Sequence, residues 1–133
     1  MEQKKFKLID NLLGILVFVI SAITYLSTIE PTTSFWDCGE FIASSYKLEI
    51  GHPPGNPVFQ LIARFFTLFA DSTHAAMMVN AMSALCSALT IMFLFWTITH
   101  LARRISEKSE SAMSLSSAIT ILGAGVVGSL AYT

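Results

Sequence analysis

Two carboxylates and one imidazole lie close together in an otherwise apolar sequence. Asp37 and Glu40 occur in FWDCGEF, and His52 follows in GHPPGNP, which covers residues 51–57. A carboxylate or an imidazole can take a proton from a hydroxyl group, which is the general-base step of many transfer reactions. The residue types therefore indicate acid–base chemistry. An acidic helix start and an ordinary loop histidine are the simpler alternatives.

The segment around the two carboxylates predicts a short helix. Ser34 to Asp37 fit the [ST]-x-x-[DE] pattern of a helix start, so we predict a helix over about 35–48. Residues three apart share one face of a helix, which places Asp37 and Glu40 side by side. Gly51 is expected to end this helix.

A stiff turn follows. Pro53 and Pro54 fix the backbone dihedral φ at about −65° and prevent the helix from continuing. A turn of this kind holds the imidazole of His52 in one direction.

A second loop helix is predicted after the turn. Asn56 and Pro57 suit the N-cap and first helical positions, and VFQLIARFFTLFA follows them. This helix is apolar on most sides and too short to span a bilayer, so we expect it to lie at the membrane surface. Asp71 closes it.

The composition places the chain among membrane proteins. It has 133 residues, 53% hydrophobic and 13% charged, and soluble domains carry nearly twice that share of charge. Three uncharged runs predict transmembrane helices over about 11–29, 75–101 and 112–133. No basic stripe is present, which argues against nucleic acid as a partner.

Basic residues predict the orientation, because they favour the cytoplasmic side. They are Lys4, Lys5 and Lys7 before the first span and Arg103, Arg104 and Lys108 after the second. The N-terminus is then cytoplasmic and the loop 30–74 extracytoplasmic. A signal peptide is the alternative for the first run, which is long for that purpose and lacks an A-x-A site. Gly123, Gly125 and Gly128 suit close helix packing in the third span.

The combined motifs resemble a known family. An acidic pair, F-x-A-S-x-Y, H-P-P-G and an amphipathic helix are similar to the first extracytoplasmic loop of protein O-mannosyltransferases, in the C-type (GT-C) glycosyltransferase superfamily. WDCGEF with GHPPGNP resembles more closely a bacterial branch known as domain of unknown function 2723. The matching residues are Asp37, Glu40, Phe41, Ala43, Ser44, Tyr46, His52, Pro53, Pro54 and Gly55.

The resemblance implies an all-α, polytopic transmembrane fold that is GT-C-like, with two juxtamembrane helices in the first extracytoplasmic loop. It also implies an inverting glycosyltransferase that moves a mannose-like sugar from a polyprenyl-phosphate donor to a hydroxyl acceptor, on protein or glycan. Membrane lipid, the lipid-linked sugar and the acceptor are the implied partners, in a bacterial inner membrane.

By the same resemblance Asp37 is the catalytic base. Shielding by Phe35 and Trp36 would make it a stronger base. The classical enzymes have adjacent Asp and Glu residues, whereas two residues separate the pair here. Because residues i and i+1 do not share a helix face, Glu40 matches the family pattern less well than Asp37 does.

The remaining roles concern substrate binding. Glu40 and His52 are expected to hold the acceptor, and Arg64 the carrier phosphate, since arginine binds phosphate bidentately. Arg64 reaching lipid headgroups is an equal alternative. No cofactor is expected. A metal held by Asp37, Glu40 and His52 is the open alternative.

The third apolar run reaches the last residue, and no polar tail follows it. We therefore expect residues 1–133 to be the N-terminal part of a longer enzyme and to be inactive alone. A non-catalytic membrane scaffold or a transporter segment is the competing function. Transporters usually place charge or broken helices within the membrane. Asn80 is the main strongly polar side chain inside the predicted spans.

Overall fold

The structure is a computed structural model that describes residues 1–53, 55–106 and 114–133. Over these residues the chain is all-α, as predicted, with five α-helices and one short 3-10 helix. Their order is α1 (Gln3–Thr28), α2 (Cys38–Lys47), α3 (Pro57–Thr67), the 3-10 helix (Ser72–His74), α4 (Ala75–Ser106) and α5 (Leu115–Leu130). Pro54 of the predicted turn and Lys108 of the predicted inner loop lie outside the described residues.

Among the residues that the structure describes, two helices are long and apolar enough to cross a membrane. They are Gln3–Thr28, with 26 residues, and Ser72–Ser106, with 35 residues including the 3-10 turn. The first begins before the uncharged run 11–29 and ends within it at Thr28, whereas the second extends beyond the run 75–101 at both ends. The segment between α1 and α4 covers residues 29–74 and contains α2 and α3.

The third apolar helix is shorter. Leu115–Leu130 has 16 residues, a length of about 24 Å at 1.5 Å per residue. A hydrocarbon core is about 30 Å thick. The third span at 112–133 therefore stays a prediction, and its first two residues lie outside the described part of the chain.

Glycines let α5 approach α4 in the compact unit formed by Met1–Thr24 and Ser87–Thr133. A Cβ on Gly125 would lie 2.5 Å from Thr99 Cγ2, and one on Gly128 would lie 2.9 Å from Ile98 Cδ1. Gly123 has no such neighbour within 4 Å. The predicted close packing is therefore confirmed at Gly125 and Gly128.

The second compact unit, Tyr25–Cys86, contains the two loop helices. α2 packs against α3, and both share a small buried core with the start of α4. Aromatic side chains of α2 and α3 cover its edge. The core residues are Ile42, Ala63, Ala75, Val79 and Met82, with Tyr46, Phe59 and Phe66 packed against them. This core fixes the two loop helices side by side.

α2 begins later than the sequence pattern predicts. Its first residue is Cys38 and its N-cap is Asp37, so Ser34 is not the helix start. Trp36 adopts a left-handed backbone with φ of 65°, which a helix cannot contain. This left-handed residue interrupts the predicted helix and moves its start by three positions.

The other loop-helix boundaries are set locally. α2 ends at Lys47, and Leu48 is a left-handed C-cap whose N–H donates to the Ser44 carbonyl. The end is therefore made by Leu48 before the chain reaches the predicted stop at Gly51. Asn56 at the N-cap and Pro57 at the first position of α3 are confirmed.

Candidate functional site

Glu40 and His52 form a direct pair between α2 and the turn that follows it. Glu40 Oε1 accepts a hydrogen bond of 2.6 Å from the backbone N–H of His52. Glu40 Oε2 lies 2.7 Å from the ring atom Nδ1 of His52. A Cβ on Gly51 would lie only 3.0 Å from Glu40 Oε1. The turn therefore reaches the carboxylate closely because residue 51 has no side chain.

The pair favours the charged form of both partners. The backbone N–H and then the ring of His52 hold the pKa of Glu40 below its usual value of 4.5. The hydrogen bond to Glu40, the charge of Glu40 and the charge of Asp37 raise the pKa of His52 above 6.5. The three residues that the sequence selected are thus electrostatically linked, through His52.

The geometry also orients the imidazole. An ionised carboxylate only accepts hydrogen bonds, so Nδ1 of His52 carries the proton that faces Glu40. Nε2 is then the ring atom left for a substrate, as an acceptor when the ring is neutral and as a donor when it is charged. The side chain of His52 is 52% exposed, so an incoming molecule can reach it. A histidine held by a carboxylate is a common arrangement for proton transfer and for orienting hydroxyl groups.

Asp37 is the other acidic group of the site. It occupies the N-cap of α2, yet its carboxylate makes no capping hydrogen bond. The residue is exposed. Phe35 and Trp36 are 92% and 93% exposed, so they do not provide the expected shielding. The carboxylate of Asp37 is therefore accessible and is not used as a helix cap.

Arg64 belongs to α3 and contacts the C-terminal end of α2. Its Nη1 donates to the backbone carbonyl of Tyr46, and its guanidinium carbon lies 5.4 Å from the centre of the Tyr46 ring. Tyr46 follows Glu40 by six residues, or about 9 Å along the helix axis at 1.5 Å per residue. The structure thus joins Glu40 with His52 and ties Arg64 to the far end of α2.

An aromatic cavity lies beside the pair. It has a volume of about 250 Å³ and is lined by Phe41, Asn56 and Phe59. The rings of Phe41 and Phe59 meet edge to face at 5.7 Å, and the Phe41 ring lies 6.4 Å from that of His52. Sequence reasoning missed the cavity because its walls come from two helices. The local signal was an aromatic residue next to Glu40 and another in the first turn of α3.

A second polar link joins the loop helices. Gln60 Nε2 donates to Ser44 Oγ over 3.1 Å. Since Ser44 is buried, the bond satisfies a polar group that would otherwise cost stability.

Another carboxylate–histidine pair closes the loop before α4. Asp71 accepts from the Thr73 hydroxyl at 2.7 Å, from the His74 N–H at 3.1 Å and contacts His74 Nδ1 at 2.7 Å. These bonds, the Thr73 hydroxyl first, lower the pKa of Asp71 to about 2. Asp71 caps the start of the 3-10 helix, whereas α3 already ends at Thr67 with Leu68 as its C-cap. The prediction that Asp71 closes α3 is therefore wrong, because its carboxylate bonds forward to Thr73 and His74.

Metal binding finds no support in the geometry. Over residues 1–53, 55–106 and 114–133, no group of three His, Cys, Asp or Glu side chains is arranged to hold a metal ion. The alternative of Asp37, Glu40 and His52 as joint metal ligands is not formed. Activity without a metal stays a prediction.

Comparison with known proteins identifies the family. The profile described as "Protein O-mannosyl-transferase TMEM260 N-terminal domain" matches residues 37–133. Protein O-mannosyl-transferase TMEM260 of Mus musculus is 33% identical over 89 residues, which cover 67% of this chain and 13% of the relative. The Dictyostelium discoideum protein of the same name is 27% identical over 86 residues, 63% of this chain and 10% of the relative.

The chain spans about a tenth of the length of these curated relatives. No solved structure matches it significantly. The family match begins at Asp37 and includes both loop helices, α4 and α5. The chain therefore belongs to the TMEM260 N-terminal domain family.

Proposed function

We propose that the chain is the N-terminal part of a GT-C-type membrane glycosyltransferase. It moves a mannose-like sugar from a polyprenyl-phosphate donor to a Ser or Thr hydroxyl of a protein, on the extracytoplasmic face. Relatives from mouse and Dictyostelium discoideum that carry the name O-mannosyl-transferase support the reaction class. The Glu40–His52 pair beside Asp37 is the observation that carries the proposal.

Asp37 acts as the base in this proposal. Its carboxylate takes the proton of the acceptor hydroxyl as the oxygen attacks the anomeric carbon of the sugar. The bond between that carbon and the carrier phosphate breaks, and the phosphate leaves with the bonding electrons. Attack opposite the leaving group inverts the anomeric configuration. The exposed carboxylate, free of a capping bond, supports this role.

Glu40 and His52 bind substrate as one unit. Glu40 holds Nδ1, which leaves Nε2 for an oxygen of the acceptor or sugar. Because the pKa of His52 is raised, Nε2 carries a proton over a wider pH range and acts as a donor. Glu40 therefore acts on the substrate through His52, in place of the direct contact suggested by the family pattern.

The aromatic cavity receives the acceptor. Its walls, Phe41 and Phe59, offer apolar contact area next to His52. Ligand sites commonly combine such apolar walls with a few directed polar groups. An acceptor residue seated there brings its hydroxyl toward the two carboxylates.

Arg64 serves the carrier phosphate or the lipid headgroups. A guanidinium has five N–H donors, and the contact with Tyr46 uses Nη1. The remaining donors suit a phosphate of either source. This contact lies about 9 Å along α2 from Glu40, and we assign the donor phosphate to this end of α2.

The exposed face of α3 supports a juxtamembrane position. Large apolar side chains follow one another at helical spacing on that face, and all are exposed. They are Val58, Leu61, Ile62 and Phe65 within α3, and Leu68 and Phe69 directly after it. A stripe of this kind lies favourably in the headgroup region of a bilayer.

The cytoplasmic N-terminus and the extracytoplasmic position of the loop belong to the same proposal. The two relatives are eukaryotic, so they give the bacterial inner membrane no support.

The test is sugar transfer by the full-length enzyme in membranes with an Asp37→Asn substitution. We expect transfer to fall at least 100-fold, on the order of what a positioned base contributes, at equal membrane insertion. Glu49→Gln is the matched control, because Glu49 is an exposed loop carboxylate that pairs with Lys47 over 3.8 Å. Normal transfer by Asp37→Asn would refute the base assignment. If substitutions at 37, 40 and 52 all leave function intact, the scaffold alternative is favoured instead.

A further inference from the structure

Asn80 is a polar side chain near the start of a long apolar helix, and it binds the segment that carries Asp37. Its Nδ2 donates to the backbone carbonyl of Glu30 over 2.7 Å and to that of Thr32 over 3.1 Å. Both carbonyls belong to the stretch between α1 and α2, which has no helix or strand. One amide group therefore binds two backbone carbonyls, two residues apart, in a segment without regular secondary structure.

The chemistry of asparagine fits this contact. The amide NH₂ has two hydrogens and can donate two hydrogen bonds at once. The two carbonyls flank Pro31, which has no N–H and fixes its own φ. The Glu30 carboxylate adds local bonds to the Thr32 N–H at 3.3 Å and to the Thr32 hydroxyl at 2.6 Å. The clamped stretch is thus a defined turn.

The turn is connected to the first turn of α2. The methyl group of Thr33 lies against Gly39, where an added Cβ would be 3.2 Å from Thr33 Cγ2. Asp37 and Glu40 lie on either side of Gly39 in sequence, at the N-cap and in the first helical turn. A displacement of the clamped turn would therefore reach both carboxylates.

Asn80 itself is held firmly. Its neighbour Val79 is 3% exposed and belongs to the core that also contains Ile42 of α2 and Ala63 of α3. Close-packed cores of this kind are weakly compressible and leave little room for local motion. All of these residues lie within the compact unit Tyr25–Cys86. The first turns of α4 share a core with α2 and α3, and through Asn80 they also fix the turn that precedes α2.

We propose that Asn80 is a positioning residue for Asp37. By clamping the turn at Glu30–Thr32, it holds the carboxylate at the start of α2 in its place for the acceptor hydroxyl. This inference rests on the proposed function. The amide donates to backbone only, so its effect on the reaction passes through the geometry of Asp37.

The test uses the full-length enzyme in membranes, with Asn80→Asp and Asn80→Ala. Aspartate keeps the shape of asparagine and removes the two donors at neutral pH. Ser83→Ala is the matched control, because Ser83 lies one turn further along α4 and donates to the Val79 carbonyl of its own helix. Activity is expressed per inserted protein.

We expect kcat to fall about 10- to 100-fold in both Asn80 variants, as for a misplacement of about 1 Å. The KM for the lipid-linked donor should change less than about twofold, since the proposed function assigns the donor phosphate to Arg64 and not to the clamped turn. Ser83→Ala should leave both constants unchanged. A uniform loss that follows the amount of folded protein would instead show a purely structural role.

A second measurement needs no activity. Cys38 adjoins Asp37, and its labelling rate with a maleimide can be followed by mass spectrometry of its peptide. We expect labelling several-fold faster in both Asn80 variants than in the control. Unchanged labelling, or unchanged kcat in Asn80→Asp, would overturn the proposal. If Asp37→Asn transfers sugar normally while Asn80→Asp accelerates labelling, the proposed function fails and the clamp remains.

Discussion

Glu40 binds His52 twice, through the backbone N–H at 2.6 Å and through ring atom Nδ1 at 2.7 Å. The two residues are twelve positions apart. A double contact fixes both the path of the turn and the direction of the imidazole. Charge-assisted hydrogen bonds of this length are among the stronger ones in proteins. Several predictions about the site depend on this one relationship.

The pair predicts a pH window for stability. The pKa of Glu40 is lowered from 4.5, so its contribution is present above pH 4.5 and is lost as the pH falls through the folded-state value. The pKa of His52 is raised from 6.5, so its contribution is complete below pH 6.5 and is lost as the pH rises through the folded-state value. The pair should stabilise most between pH 4.5 and 6.5.

This window can be measured as the difference in melting temperature between the wild type and Glu40→Gln in detergent. We expect the largest difference between pH 4.5 and 6.5 and a smaller one at pH 8. Glu49→Gln, which removes another exposed carboxylate, should give no such profile. A difference that grows from pH 6.5 to 8 would contradict the assigned ion pair.

Gly51→Ala tests the close approach of the turn. The new Cβ would lie 3.0 Å from Glu40 Oε1, so the carboxylate must shift by a few tenths of an ångström. We expect acceptor KM to rise several-fold while donor KM stays constant, because His52 loses its alignment. In a Glu40→Gln background the same glycine change should cost much less, since the two changes act on one contact. Additive effects would show that Gly51 acts elsewhere.

Substitutions of Arg64 distinguish its two possible ligands, the phosphate of the carrier and the lipid headgroups. If it binds the carrier, Arg64→Ala should raise donor KM about tenfold, and Arg64→Lys should recover only part of this, because lysine cannot bind bidentately. If it only reaches headgroups, both variants should keep donor KM. Arg64→Ala should then weaken binding to anionic vesicles, whereas Arg64→Lys, which keeps the positive charge, should retain it. Kinetics with a short-chain, water-soluble donor distinguish these results. A kcat loss at constant donor KM would disagree with both roles.

Gly125 and Gly123 form a matched pair in α5. An added Cβ would lie 2.5 Å from Thr99 Cγ2 at Gly125, whereas Gly123 has open space. Overpacking a close contact costs about 1–3 kcal/mol, so Gly125→Ala should lower thermal stability in detergent. Gly123→Ala should leave it unchanged or raise it, because alanine favours helix more than glycine does. Equal effects would contradict the packing of α5 on α4.

Local patterns determined much of this chain. The long uncharged runs predicted helices, and α1 and α4 are long and apolar enough to span a membrane. Asn56 and Pro57 marked the start of α3 correctly, although the Asn56 side chain makes no capping hydrogen bond. Proline suits the first helical position because its φ is fixed near the helical value and its missing N–H is not needed there. The helix start predicted at Ser34 was wrong. Its side chains fit a helix start, but the left-handed backbone at Trp36 is incompatible with one.

The helices follow from local sequence patterns, which located them along the chain. That Asp37 and Glu40 share one helix face stays a prediction, because Asp37 is the N-cap of α2 and lies just outside the helix. The partners of Glu40, Arg64 and Asn80 depend on tertiary packing. Packing of α2 on α3 and the close approach at Gly51 brought His52 to Glu40. The same packing directed Arg64 to Tyr46 and placed Asn80 against the turn before α2. Such contacts join residues distant in sequence, and their energies arise only once the shared core has formed.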